Sequence, residues 1–131
     1  MVDLVSETSA TEIRWVFIVQ LTALPAWLAL DRERRRAIVA ELEPVFDEHR
    51  QVRLRWVDVE AFTADCSDVL IAETVEPRAW NHLFEALRDS ALFTTPYFRL
   101  ERILTGVEDG YRDYENTQIG IANSGHKVAA P

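Results

Sequence analysis

The segment Arg14-Trp-Val-Phe-Ile-Val-Gln-Leu21 carries the strongest strand pattern in the chain: β-branched and aromatic residues run together, and both alternating sets are apolar. A strand of that kind is buried on both faces. Pro25 and the stretch Trp27 to Leu30 read as a connector. Asp31 then stands as N-cap of a helix over Arg32 to Glu43, with Glu33 in its first turn. Ile38, Leu42, Val45 and Phe46 form one apolar stripe, and Pro44 predicts a kink or a fresh turn within it. Gln51 to Glu60 and Asp68 to Val75 read as two more strands, joined by a hairpin-length connection. Pro77 opens a second helix to about Ser90, with Trp80, Leu83, Phe84 and Leu87 on one stripe. A turn at Phe93 to Pro96 leads to a fourth strand, Tyr97 to Leu104. A short helical segment is expected after Gly106, between Val107 and Glu115.

The order β-α-β-β-α-β predicts an α+β, ferredoxin-like fold: a four-stranded antiparallel sheet with two helices on one face. Right-handed crossovers put both helices on the same side, so the other face is left bare. Trp15, Phe17, Val19 and Leu21 supply the helix side of the first strand, yet Val16 and Ile18 are apolar too. Such a patch on a bare sheet asks for a cover. A second copy packed sheet to sheet supplies it, which predicts a homodimer, a dimeric α/β barrel whose interior is the natural ligand cavity.

Composition narrows the class. The chain has 131 residues, enough for one core, and its polar ends read as flexible tails at 1–12 and 117–131 around a domain at 13–116. With 14 basic against 22 acidic side chains, the formal net charge is −8, which disfavours nucleic acid and anionic membranes as partners. That charge makes a neutral or cationic small ligand easier to attract than an anion, unless Arg55 or its neighbours line the cavity. One cysteine precludes an internal disulfide, the N-terminus lacks a signal-peptide pattern, and no apolar run approaches a membrane span, so a cytoplasmic protein is expected.

At Asp58-Val-Glu-Ala-Phe62, Cys66-Ser-Asp68, Glu73-Thr74, Glu85-Ala-Leu-Arg-Asp89, Phe93-Thr-Thr-Pro-Tyr-Phe98 and Glu108-Asp-Gly-Tyr111 the sequence resembles the darcynin family. The segment Thr22 to Asp31, with its Pro-Ala-Trp-Leu stretch, resembles that family's approach to the first helix. The resemblance spans about residues 14–115. It implies a dimeric ferredoxin-like barrel, in agreement with the reading above, and carries over no catalytic residue.

Candidate chemistry lies in ionisable residues placed within strands. A hairpin centred near Ala64 puts Arg55 opposite Glu73 and Asp58 opposite Leu70, so an Arg–carboxylate pair becomes a candidate polar post on the cavity wall. A structural ion pair is the plainer account, and a one-residue slip would turn both side chains to the other face. Asp58 and Glu60 share a face with Trp56 and are candidates for general acid or base work, or for a solvated strand end. Tyr97 is a candidate proton relay at the barrel mouth, or a core phenol with a satisfied hydroxyl. The expectation is therefore Asp58, Glu73 and Tyr97 as catalytic groups and Arg55, Trp56 and Glu60 as substrate-binding groups.

Other chemistries rank lower. Asp68, after Cys66 and Ser67, reads as a loop cap, and Cys66 has no base beside it. His49, His82 and His126 do not cluster, so no metal or cofactor is expected; a haem ligand at His82 is the weakest option. No Gly-rich phosphate loop is present, and the run Arg32-Glu-Arg-Arg-Arg36 reads as a solvated helix face. Two functions follow: a cofactor-free enzyme acting on a small apolar oxygenated molecule by cyclisation, isomerisation or dehydration, with a cofactor-independent monooxygenase as its oxidative variant; or a non-catalytic dimeric ligand-binding or interaction protein.

Overall fold

The alternation in the first strand divides the molecule into two faces. The computed structural model describes residues 12–123, in the order β1 (Trp15–Ala23), α1 (Pro25–Leu28), α2 (Arg32–Glu48), β2 (Arg53–Asp58), β3 (Asp68–Thr74), α3 (Pro77–Arg88), α4 (Ala91–Thr94), β4 (Phe98–Val107) and α5 (Gly110–Asn123). The four strands form one antiparallel sheet in the order β2-β3-β1-β4, the ferredoxin-like arrangement expected from the element order.

Phe17, Val19 and Leu21 of β1 and Leu70 and Ala72 of β3 are buried on one side, against Leu42 of α2 and Trp80, Leu83 and Leu87 of α3. The Phe17 and Trp80 rings stack with centroids 4.7 Å apart, fixing α3 across the central strand. On the opposite side Val16 pairs with Glu73, Ile18 with Ile71 and with Leu104, and Gln20 with Val69. None of these joins the core, which lies wholly on the helix side, and Leu104 is 47% exposed. Among the described residues the face expected to be bare from Val16 and Ile18 carries no core residue: Val16, Ile18, Val69 and Ile71 are half-buried there and Leu104 is exposed.

Local chemistry accounts for the helix starts. The Asp31 carboxylate accepts from the Arg34 N–H at 2.7 Å, the N-cap read from the sequence, and Glu76 caps α3 by accepting from the Arg78 N–H ahead of Pro77.

Three expectations are corrected. α2 runs unbroken through Pro44 to Glu48, because Leu42, Val45 and Phe46 all pack on the same core and hold the stripe together across the lost hydrogen bond. The β2–β3 hairpin is centred one residue earlier than expected, so Arg53 pairs with Glu73, Arg55 with Ile71 and Asp58 with Asp68. At the C-terminal side, β4 continues to Val107 and α5 runs to Asn123, through residues 117–123 that had read as the start of a tail. The Thr117 hydroxyl donates to the Asp113 carbonyl inside that helix. Residues 1–11 and 124–131, which include most of both expected tails, lie outside the described residues.

Candidate functional site

β2 is an edge strand, and α2 does not fully cover its helix-side face. Leu54 is only half-buried and Trp56 is 41% exposed. The space left between them is a cleft of about 1000 Å³. Leu42 and Phe46 of α2, Trp27 of α1, Leu54 and Trp56 of β2 and Phe98 of β4 supply its apolar lining. Phe98 joins the two indoles: its ring lies 5.1 Å from Trp27 and 5.7 Å from Trp56. A concave, mostly apolar space of this size with few polar groups suits a small organic ligand.

Trp27 is held from outside by Arg35. The Arg35 guanidinium donates from Nε to the Trp27 carbonyl at 3.2 Å and from Nη2 to the Leu28 carbonyl at 3.1 Å, and lies 5.8 Å from the Trp27 ring. It thereby satisfies carbonyls at the C-terminal end of α1 and contacts a ring of the cleft wall. In the sequence this residue sat within a run read as a solvated face; it is the one member that folds back, and it does so because α1 ends within its reach.

The polar groups gather at two ends. Near α2 the Asp47 carboxylate and Arg50 guanidinium lie 3.6 Å apart. At the hairpin end the Trp56 Nε1–H donates to Asp68 Oδ2 at 2.7 Å and the Ser67 hydroxyl to Asp68 Oδ1 at 2.6 Å. Ser67 is itself anchored, since its oxygen accepts from the Ala23 N–H at 2.7 Å. The Asp68 carboxylate is thus fixed on the cleft wall, with Asp58 directly opposite it in the strand register. Asp68 had read as a loop cap. The missed signal was register: centring the hairpin one residue earlier places residue 68 diagonal to Trp56, within reach of a long indole.

Of the residues expected to bind substrate, Trp56 and Arg55 border the cleft and Glu60 does not. Arg55 contributes there as part of the strand edge. By register its side chain belongs to the bare face, where it forms an ion pair with Glu73 at 3.9 Å, diagonally rather than directly across. Asp58, Glu73 and Tyr97, each expected as a catalytic group, are not brought together. Asp58 is exposed at the end of β2, Glu73 lies on the bare face, and Tyr97 packs edge-on to Trp27 with ring centroids 5.6 Å apart. The cleft also lies on the helix side of the sheet, not on the side where a barrel interior was expected.

His82 is exposed on α3, and among the described residues no histidine lines the cleft. Cys66 is buried. Among the described residues no group of three or more His, Cys, Asp or Glu side chains is arranged to hold a metal ion, and no helix is long and apolar enough to cross a membrane. One electrostatic cluster stands on the far strand. Arg99 and Thr22 both donate to Glu101 and so hold its carboxyl below its ordinary range, while the hydrogen bond to the Glu101 carboxylate holds the Arg99 guanidinium above its own.

Solved structures support the fold. A mutant chlorite dismutase from Candidatus Nitrospira defluvii matches over 82% of this chain with a TM-score of 0.65 at 13% identity, and a putative chlorite dismutase over 75% with a TM-score of 0.64 at 22% identity. The chain spans 44% and 46% of those two chains, less than half of each. Sequence relatives are closer. Darcynin of Chromobacterium violaceum is 49% identical over 74 residues, which is 56% of this chain and 94% of that protein. Darcynin 1 of Acinetobacter baumannii is 41% identical over 90 residues, 68% of this chain and all of that protein. The model of the family described as darcynin, a domain of unknown function, matches residues 5–124, and the chain belongs to that family.

Proposed function

We propose that this chain is a homodimeric ligand-binding protein that takes one small, largely apolar molecule into the cleft between β2 and α2. The observation that carries the reading is the cleft itself: about 1000 Å³, walled by Trp27, Phe46, Trp56 and Phe98 on rigid elements, with one hydrogen-bonded carboxylate at its end. Dimerisation through the bare face covers Val16, Ile18, Val69 and Ile71 and leaves the cleft open, because the two lie on opposite sides of the sheet.

A second reading, a cofactor-free enzyme working by acid–base chemistry, is favoured by a different observation. Asp68 faces the cleft and is oriented by two donors, so it stands where a bound molecule could exchange a proton with it. Asp68 replaces the trio of Asp58, Glu73 and Tyr97 as the group on which that reading rests.

The test uses the uncharged fluorophore N-phenyl-1-naphthylamine, with energy transfer from the cleft tryptophans as readout. One molecule should bind per chain. Leu54→Arg, which puts a guanidinium on the cleft floor, should abolish binding, while Ile71→Asp on the other face should leave it intact. Equal binding to the Leu54 variant, or no binding to the natural chain, overturns the assignment.

A further inference from the structure

We infer that the cleft selects organic cations: molecules with an apolar, preferably aromatic body and a protonated amine that reaches Asp68. The inference rests on the ligand-binding reading above and names the chemical class of its ligand. It turns on which charges the cleft presents. Arg53 and Arg55 border it, and from their positions alone they suggest an anion site. The register removes them: residues 53, 55 and 57 of β2 point to the bare face, where Arg55 already meets Glu73. Arg50, at the α2 end, lies beside Asp47 and is offset by it. What remains at the hairpin end is carboxylate. Asp68 and Asp58 are paired across the strands on the cleft side, and no Lys, Arg or His among the described residues makes an ion pair with either.

The donors around Asp68 strengthen the argument. Trp56 and Ser67 each give one hydrogen bond, which fixes the carboxylate's orientation while each oxygen keeps a further lone pair for a ligand donor. Trp56 meets the carboxylate by its N–H edge and packs against Phe98, so these two rings of the cleft lining give the apolar body of a ligand a wall next to the charge. The long-range field acts in the same direction, because the chain carries a formal charge of −8.

Three pyrene probes of one shape separate the possibilities: 1-pyrenemethylamine, 1-pyrenemethanol and 1-pyrenecarboxylate, titrated by energy transfer from tryptophan at neutral pH. The amine should bind about tenfold tighter than the alcohol, and the carboxylate weakest. Asp68→Asn, close in shape and able to accept from Trp56, should bring the amine to the affinity of the alcohol. Equal binding of amine and alcohol by the natural chain overturns the cation assignment while the cleft reading stands. So does a preference that survives in the Asp68 variant. Failure of all three probes to bind removes both.

Discussion

Ile71→Asp tests whether the bare face is a dimer interface. Ile71 is the central residue of that face: it lies on β3 between Ile18 of β1 and Arg55 of β2 in direct register, and it is half-buried in the single chain. A two-fold pair of sheets buries it twice, once from each copy. Because part of its surface is already covered, the lost burial is about 1 kcal/mol per copy, below the full side-chain value. Placing a carboxylate in the apolar centre adds about 2 kcal/mol per copy in desolvation. The sum is about 6 kcal/mol per dimer, a rise in dissociation constant of about four orders of magnitude. In the separated chain the new carboxylate can pair with Arg55, which further favours the monomer. Sedimentation analysis from about 1 to about 100 μM protein should show a dimer for the natural chain and a monomer for the variant. The fold itself should persist, with an unchanged far-ultraviolet circular dichroism spectrum, because the core lies on the other side of the sheet. A natural chain that stays monomeric throughout that range, or a variant that dimerises as tightly as the natural chain, refutes the reasoning.

Arg35→Ala removes two charge-assisted hydrogen bonds and a ring contact at a half-buried site, so stability should fall by about 1 to 2 kcal/mol, seen as a Tm lower by several degrees. Binding of N-phenyl-1-naphthylamine should weaken severalfold as Trp27 loosens; full affinity at the lowered Tm would assign Arg35 a role in stability alone. Glu101→Gln probes the lowered carboxyl on β4. The folded state favours its ionised form, so its stabilisation is complete above the ordinary carboxylate pKa of about 4.3 and is lost as pH falls through the lowered folded value. The stability gap between natural chain and variant, followed by urea unfolding, should be constant near neutrality and close in acid; a gap that widens in acid contradicts the sign.

The alternation of β1 and the stripes of the helices α2 and α3 were enough to read the fold, because each face of a strand and each stripe of a helix has one place to be buried. The sequence also declared the bare face, since Val16 and Ile18 are apolar where one sheet with helices on one side needs only Phe17, Val19 and Leu21. It did not declare the cleft. A cleft is space that neighbouring elements leave unfilled, and nothing in β2 or α2 taken alone says how far apart they sit. The polar site depended on register in the same way. Moving the hairpin centre by one residue keeps every side chain on its face but changes each cross-strand partner by two positions, so Asp58 met Asp68 instead of Leu70, and Trp56 reached Asp68. Periodicity, which is local, thus determined which residues face the helices. The packing of α2 over an edge strand and the pairing of two strands, which are not local, decided where a ligand fits and which carboxylate would meet it.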